Sequence, residues 1–191
     1  MNARQAASLT ALGLVLFAAC TKPERGFAER QRLPELALQG GFDANGNGRI
    51  DNEEMGPLSL RAVIDAPAAE PARWLLVHVV FAWCQFCATE TDVEASWVKA
   101  SRGRVRAVQV LVENVEGRAP TQADLWRWID RGHAQPQSTV PAAIDASGLF
   151  RAGIQEPSFL LLDVRGELRI VGREVGPGGL AKLRARATSL P

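Results

Sequence analysis

Residues Trp74 to Lys99 read WLLVHVVFAWCQFCATETDVEASWVK, and this stretch decides the fold. Trp74 to Ala82 is apolar apart from His78 and rich in valine, the pattern of a central strand buried on both faces. Trp83 closes the run, Cys84 and Cys87 follow at Cys-x-x-Cys spacing, and a helical segment carries on until Gly103. Phe86, Val93, Trp97 and Ala100 recur at helical spacing, which predicts the face that lies on the sheet; Glu90 falls on that face too. Two thiols three positions apart in the first turn of a helix can close a small ring. The unpaired amides at that helix end stabilise a thiolate on the first of them, so the stretch points to redox chemistry.

Working outward, Val105 to Glu113 predicts a second strand. Thr121 to Arg131 predicts a helix with Thr121 as its N-cap and Leu125, Trp128 and Ile129 as its buried stripe. This β-α-β-α order implies parallel strands joined by right-handed crossovers. Val140 to Ile144 is a short further strand, followed by an Asp-x-x-Gly turn and the segment Leu149 to Ile154. Phe159 to Val164 and Glu167 to Val171, separated by Arg165-Gly166, form an antiparallel hairpin, and Leu180 to Ala187 supplies a closing helix. The fold class is therefore α/β, with a central mixed sheet flanked by helices.

Trp83-Cys84-Gln85-Phe86-Cys87 after a buried strand, with Pro157 opening a later strand and hairpin, resembles the thioredoxin-like fold. More narrowly, Cys84, Cys87 and Glu90 in a Cys-x-x-Cys-x-x-Glu pattern, with a strand-helix insertion over Val140 to Ile154, resemble the membrane-anchored TlpA/ResA-type thiol-disulfide oxidoreductases. The resemblance implies that Cys84 is the exposed nucleophile and that Cys87 resolves the mixed disulfide with a protein substrate. It implies a membrane-bound electron donor, a cis peptide at Pro157 against the disulfide, and tuning of the thiols by Glu90. It places His78 where thioredoxin has a buried acid; a proton-transfer role and a neutral core histidine both fit that position. Trp83 packs over and shields the site. Gln85-Phe86 replaces the Gly-Pro of thioredoxin, which leaves the direction of electron flow open, although a reductant is expected. Glu156 beside the thiols would raise their pKa or disfavour acidic substrates.

Other readings of the cysteine pair are a static disulfide in a non-enzymatic lipoprotein that binds a metal or partner, or a zinc site. Zinc would need His78 or His133, whose spacing from the cysteines matches no common zinc pattern. No Thr-x-x-Cys peroxidatic motif occurs, and the two-residue spacing counts against a Sco-type copper chaperone. His133 reads as a solvated loop residue.

The chain of 191 residues holds 22 basic and 21 acidic residues, a balance that points to no nucleic-acid partner. Three cysteines rule out a scaffold stapled by several disulfides. The third, Cys20, ends an apolar run from Ala6 preceded by Arg4, too short to span a bilayer comfortably and laid out as a secretory signal. Leu16-Phe17-Ala18-Ala19-Cys20 resembles the lipobox of bacterial lipoproteins, with Phe17 where leucine is usual. That resemblance implies removal of residues 1–19, lipidation of Cys20 and anchorage in the bacterial cell envelope, facing the periplasm or exterior. Residues 20–32 read as a polar tether, 33–57 as an N-terminal extension, and 58–191 as the thioredoxin-like domain.

Within the extension, Asp43, Asn45, Asn47, Arg49, Asp51 and Glu54 fall at the ligand positions of an EF-hand calcium loop, with Gly48 at its sharp turn. Gly40-Gly41 and Gly56-Pro57 exclude long flanking helices. The site would bind Ca2+ weakly and serve structure; an Asn/Gly-rich turn without metal is the other reading.

Overall fold

The computed structural model of this chain describes residues 27–34, 36–131 and 140–190. Cys20, the leader, the first part of the tether and His133 lie outside the described residues. In chain order the elements are β1 (Leu38–Gly41), β2 (Met55–Leu58), α1 (Leu60–Asp65), β3 (Trp74–Phe81), α2 (Gln85–Ala100) and β4 (Val105–Glu113), then α3 (Gln122–Arg131), β5 (Ala142–Asp145), α4 (Leu149–Gly153), β6 (Ser158–Asp163), β7 (Arg169–Val175) and α5 (Gly179–Ser189). The strands form one mixed sheet in the order β2-β1-β5-β4-β3-β6-β7.

β3 lies at the heart of this sheet and every residue of it is buried. It runs parallel to β4 and antiparallel to β6, pairing His78 with Gln109 on one side and with Phe159 on the other. Leu75, Val77 and Val79 pack with Leu60, Val63 and Ile64 of α1 and with Phe150 of α4. Trp74 and Leu76 pack with Trp97 of α2 and Leu180 and Leu183 of α5. The expected strands and helices after Trp74 all form, including Thr121 as N-cap, whose hydroxyl accepts from the Asp124 amide, and the buried Leu125, Trp128 and Ile129. The final hairpin strand and α5 extend further than expected, to Val175 and Ser189.

Three expectations are corrected. Residues 33–57 are no separate extension: β1 pairs antiparallel with β5 and β2 with β1, so both belong to the sheet. Gly40 makes that possible, since a Cβ there would lie 2.1 Å from the Ala142 carbonyl oxygen and 2.5 Å from Ala143 Cα. Pro57 sits in β2, an outermost strand of the sheet, where a missing N–H is tolerated.

The tether is also shorter than residues 20–32. Phe27 is buried and packs on Phe150 with ring centroids 5.1 Å apart. The Arg30 amide donates to Ile170 O (2.7 Å), the Ile170 amide to Gln31 O (3.0 Å), and Arg186 grips Glu29 through two bonds of 2.5 and 2.8 Å.

The third correction concerns α2. Its buried residues are Cys87, Thr91, Glu94 and Trp97, whereas Phe86 and Val93 are 59% and 52% exposed and Glu90 is half-buried. Polar side chains turn inward here because the strands below offer them polar partners.

Candidate active site

β3 delivers the chain to a tight turn in which the Cys84 amide donates to Phe81 O (2.9 Å), and Cys84 then stands as the N-cap of α2. Cys84 and Cys87 are joined in a disulfide with Cα atoms 5.5 Å apart. Cys84 is 7% exposed and Cys87 fully buried, so an incoming thiol reaches the Cys84 sulfur first. The Cys87 amide lies 3.1 Å from Cys84 Sγ, donating to it. With the bond reduced, that donor and the positive end of a 16-residue helix favour Cys84 as thiolate.

Trp83 flanks the disulfide at 49% exposure. Its indole N–H donates to Glu113 Oε2 (3.2 Å) and its ring tilts against Phe81 at 5.1 Å. Phe86 stands exposed in the first turn of α2, so accessible aromatic residues both precede and follow Cys84 in the chain. The Glu90 carboxylate takes the Gly178 amide (3.1 Å), tying α2 to the turn before α5.

Beneath the disulfide lies a polar network inside the core. His78 and Glu94 are fully buried, with Nδ1 of the imidazole 3.0 Å from Glu94 Oε2. Gln109 donates to both Glu94 Oε2 (3.0 Å) and Thr91 Oγ1 (3.0 Å), and accepts from the Trp128 indole (2.8 Å). Thr91 in turn donates to the carbonyl of Cys87 (2.9 Å). The His78 ring stacks on Phe159 at 4.1 Å. His78 Nε2 and Glu94 Oε1 are buried without a hydrogen-bond partner. Of the residues assembled here, Thr91, Glu94 and Gln109 were missed. The legible signal was spacing: Cys87, Thr91 and Glu94 fall at i, i+4 and i+7, one stripe of a helix.

Pro157 opens β6 at the disulfide end of the sheet, because Ser158 pairs with Val79 near the end of β3. No cis peptide occurs among the described residues, so the expected cis bond before Pro157 is corrected to trans. The trans turn leaves no carbonyl stranded: Ser158 Oγ donates to Glu156 O (2.9 Å) and the Gly176 amide to Pro157 O (3.2 Å). The Glu156 side chain is exposed.

The 43–54 loop lies at the far side of the sheet, between β1 and β2. Asp43 accepts from the amides of Asn47 (3.0 Å) and Gly48 (2.8 Å), and Glu54 from those of Ala44, Asn45 and Asp51 (2.8, 3.0 and 2.9 Å). Asn45 and Asn47 point their amide nitrogens at Asp51, which also pairs with Arg49 (2.7 Å). The Asn47 bond is the main reason that the Asp51 carboxyl titrates below its ordinary range. Among the described residues no three His, Cys, Asp or Glu side chains converge to hold a metal. As arranged, these bonds close the loop on itself.

No family model matches the chain, and no curated protein matches it. Solved structures do. A thiol:disulfide interchange protein DsbE from Chlorobium tepidum aligns with a TM-score of 0.57 at 16% identity, covering 86% of this chain and 98% of that one. The exposed lipoprotein thioredoxin of Streptococcus pneumoniae aligns at 0.54 and 16%, covering 81% and 100%. AhpC of Mycobacterium tuberculosis aligns at 0.58 and 11%, covering 87% and 97%. At these identities the likeness establishes the fold, which is thioredoxin-like.

Proposed function

We propose that this chain is a thiol-disulfide oxidoreductase of the bacterial cell envelope, held there by a lipid on Cys20 and acting on protein substrates as a reductant. The observation that carries the reading is the asymmetry of the disulfide. Cys84, at a helix N-cap, keeps 7% exposure, whereas Cys87 is fully buried and its carbonyl is linked through Thr91 and Gln109 to the His78–Glu94 pair.

In the reducing direction, the Cys84 thiolate attacks a substrate disulfide RS–SR′, forming Cys84–S–S–R and releasing R′S−. The Cys87 thiol then loses its proton and attacks the Cys84 sulfur, breaking the mixed disulfide and releasing RS−. The Cys84–Cys87 pair is oxidised by two electrons, the substrate is reduced by two, and the Cys87 proton ends on one released thiolate. His78 and Glu94 serve as the buried groups that take this proton in passing. Trp83 and Phe86 border the approach, and a membrane-bound dithiol donor would re-reduce the pair.

Replacing Cys84 by Ser tests the assignment. Wild-type chain should reduce insulin disulfides with dithiothreitol as donor, Cys84→Ser should not, and Cys87→Ser should accumulate a mixed disulfide. Turnover that survives in Cys84→Ser overturns the nucleophile. A wild-type disulfide with no exchange and a potential below about −300 mV would make it a static bridge instead.

A further inference from the structure

The end of the sheet opposite the disulfide carries a recess that the redox reading does not use. Arg73, Trp74, Trp97, Arg104, Arg184 and Leu190 line a cavity of about 400 Å3 where β3 and β4 begin and α2 and α5 end. Arg73 stacks on the Trp74 ring (4.7 Å) and donates to Leu190 O (3.2 Å), yet its Nε is buried with no partner. Two carboxylates at this end are already committed. Glu70 is shared between Arg102 (3.6 Å) and Arg104 (3.4 Å), and Asp163 is held by Arg165 (2.7 Å). The side chains of Arg184 and of Lys99, in the last turn of α2, form no ion pair among the described residues.

A second observation concerns the backbone. Arg102 follows the C-cap of α2 with φ +57°, a left-handed conformation that glycine adopts freely and other residues adopt at a cost. Its guanidinium is 74% exposed and only loosely paired. An arginine kept at a strained position, with its charge in solvent, has a use outside the fold.

We infer that this basic end docks on an anionic lipid surface, with headgroup phosphates seated against Arg73, Arg104 and Arg184. Guanidinium groups match phosphate geometry, and arginines that outnumber the carboxylates beside an apolar recess suit a charged, amphipathic interface. The proposed anchor brings such a surface within reach: the seven residues from Cys20 to Gly26 span at most roughly 24 Å. Docked this way, the eight residues of β3 hold the disulfide roughly 26 Å from the lipid, directed at soluble clients.

The test compares partitioning of the full chain into phosphatidylcholine vesicles and into vesicles with about one third phosphatidylglycerol. Taking the ratio cancels whatever the apolar leader contributes. The ratio should exceed tenfold at low salt and collapse as the Debye length shortens to about 8 Å at 0.15 M. Arg104→Gln and Arg184→Gln should each lower it about fivefold and together bring it down to near one. Arg102→Gly should lower it about fivefold while raising the melting temperature, so a folding defect cannot mimic the loss. A ratio near one, or variants that bind like wild type, overturns the inference. If about 10 mM inorganic phosphate abolishes the preference at fixed ionic strength, the recess takes free phosphate and the lipid assignment falls. None of these readouts depends on redox activity.

Discussion

Replacing Glu94 by Leu should destabilise the protein far more than replacing Glu94 and His78 together. Glu94 is fully buried, and its carboxylate accepts from His78 Nδ1 and Gln109 Nε2, each at 3.0 Å. Removing it strands the imidazole, and a buried pair broken on one side costs about 3–5 kcal/mol. His78→Leu should cost a similar amount, because it leaves a buried carboxylate with Gln109 alone and removes the stack on Phe159, worth about 0.5–1.5 kcal/mol more. In the double variant neither polar group is left in the core. Gln109 keeps Thr91 and Trp128 as partners, and well-packed apolar replacements for such a pair are commonly neutral or stabilising. The interaction energy in this cycle should therefore reach at least about 3 kcal/mol. Urea unfolding followed by tryptophan fluorescence reads it directly. With a slope of about 2 kcal/mol/M, each single variant should lose roughly 1.5–2.5 M in midpoint and the double should recover most of it. Single losses near zero, or a double loss equal to their sum, would refute the claim that each of the two side chains needs the other in the core. If the double variant is as stable as wild type and slower in insulin reduction, the pair is retained for proton handling.

Acid should loosen the N-terminal segment first. The Arg186 bond holds the Glu29 carboxyl below its ordinary value, so the stability it contributes is complete above that ordinary value and is lost as pH falls through the lower folded one. Amide exchange at Arg30 and Ile170 should accelerate between about pH 5 and 3, and unchanged protection there would disprove it. Gly40→Ala should separate β1 from β5, since the added methyl collides with backbone and cannot be relieved by a rotamer; a loss of at least about 2 kcal/mol is expected, and a variant within 0.5 kcal/mol of wild type, to within roughly the error of such series, contradicts the register. Calcium binding at the 43–54 loop must displace the Asn47–Asp51 and Arg49–Asp51 contacts, so calorimetry should give a Kd no tighter than about 10−3 M. Micromolar affinity would show that the loop reopens at little cost.

These outcomes bear on why some of the fold was legible in the sequence and some was not. β3, β4 and α3 announce themselves because each buries a pattern set by its own residues: an unbroken apolar run, or a stripe at helical spacing. The Cys-x-x-Cys pair was equally local, and the structure places it at the helix N-cap where the chemistry needs it. The inward face of α2 was misread for the opposite reason. Thr91 and Glu94 look like surface residues until His78 and Gln109, 16 and 15 positions from Glu94, are known to lie beneath them. Gly40-Gly41 looked like a helix breaker, and it is one; what the sequence could not display was the neighbouring backbone of Ala142 and Ala143 that requires the missing side chain. Phe27 sits alone in a polar segment, and its partner Phe150 is supplied from the other end of the domain. In each case a residue's meaning came from a partner distant in sequence. A buried carboxylate carries this furthest, since alone it would be expelled or neutralised and only its pairing makes the interior tolerable. Glu94 and His78 therefore had to be recognised together, since each still leaves one buried polar atom without a partner and neither is tolerable there alone.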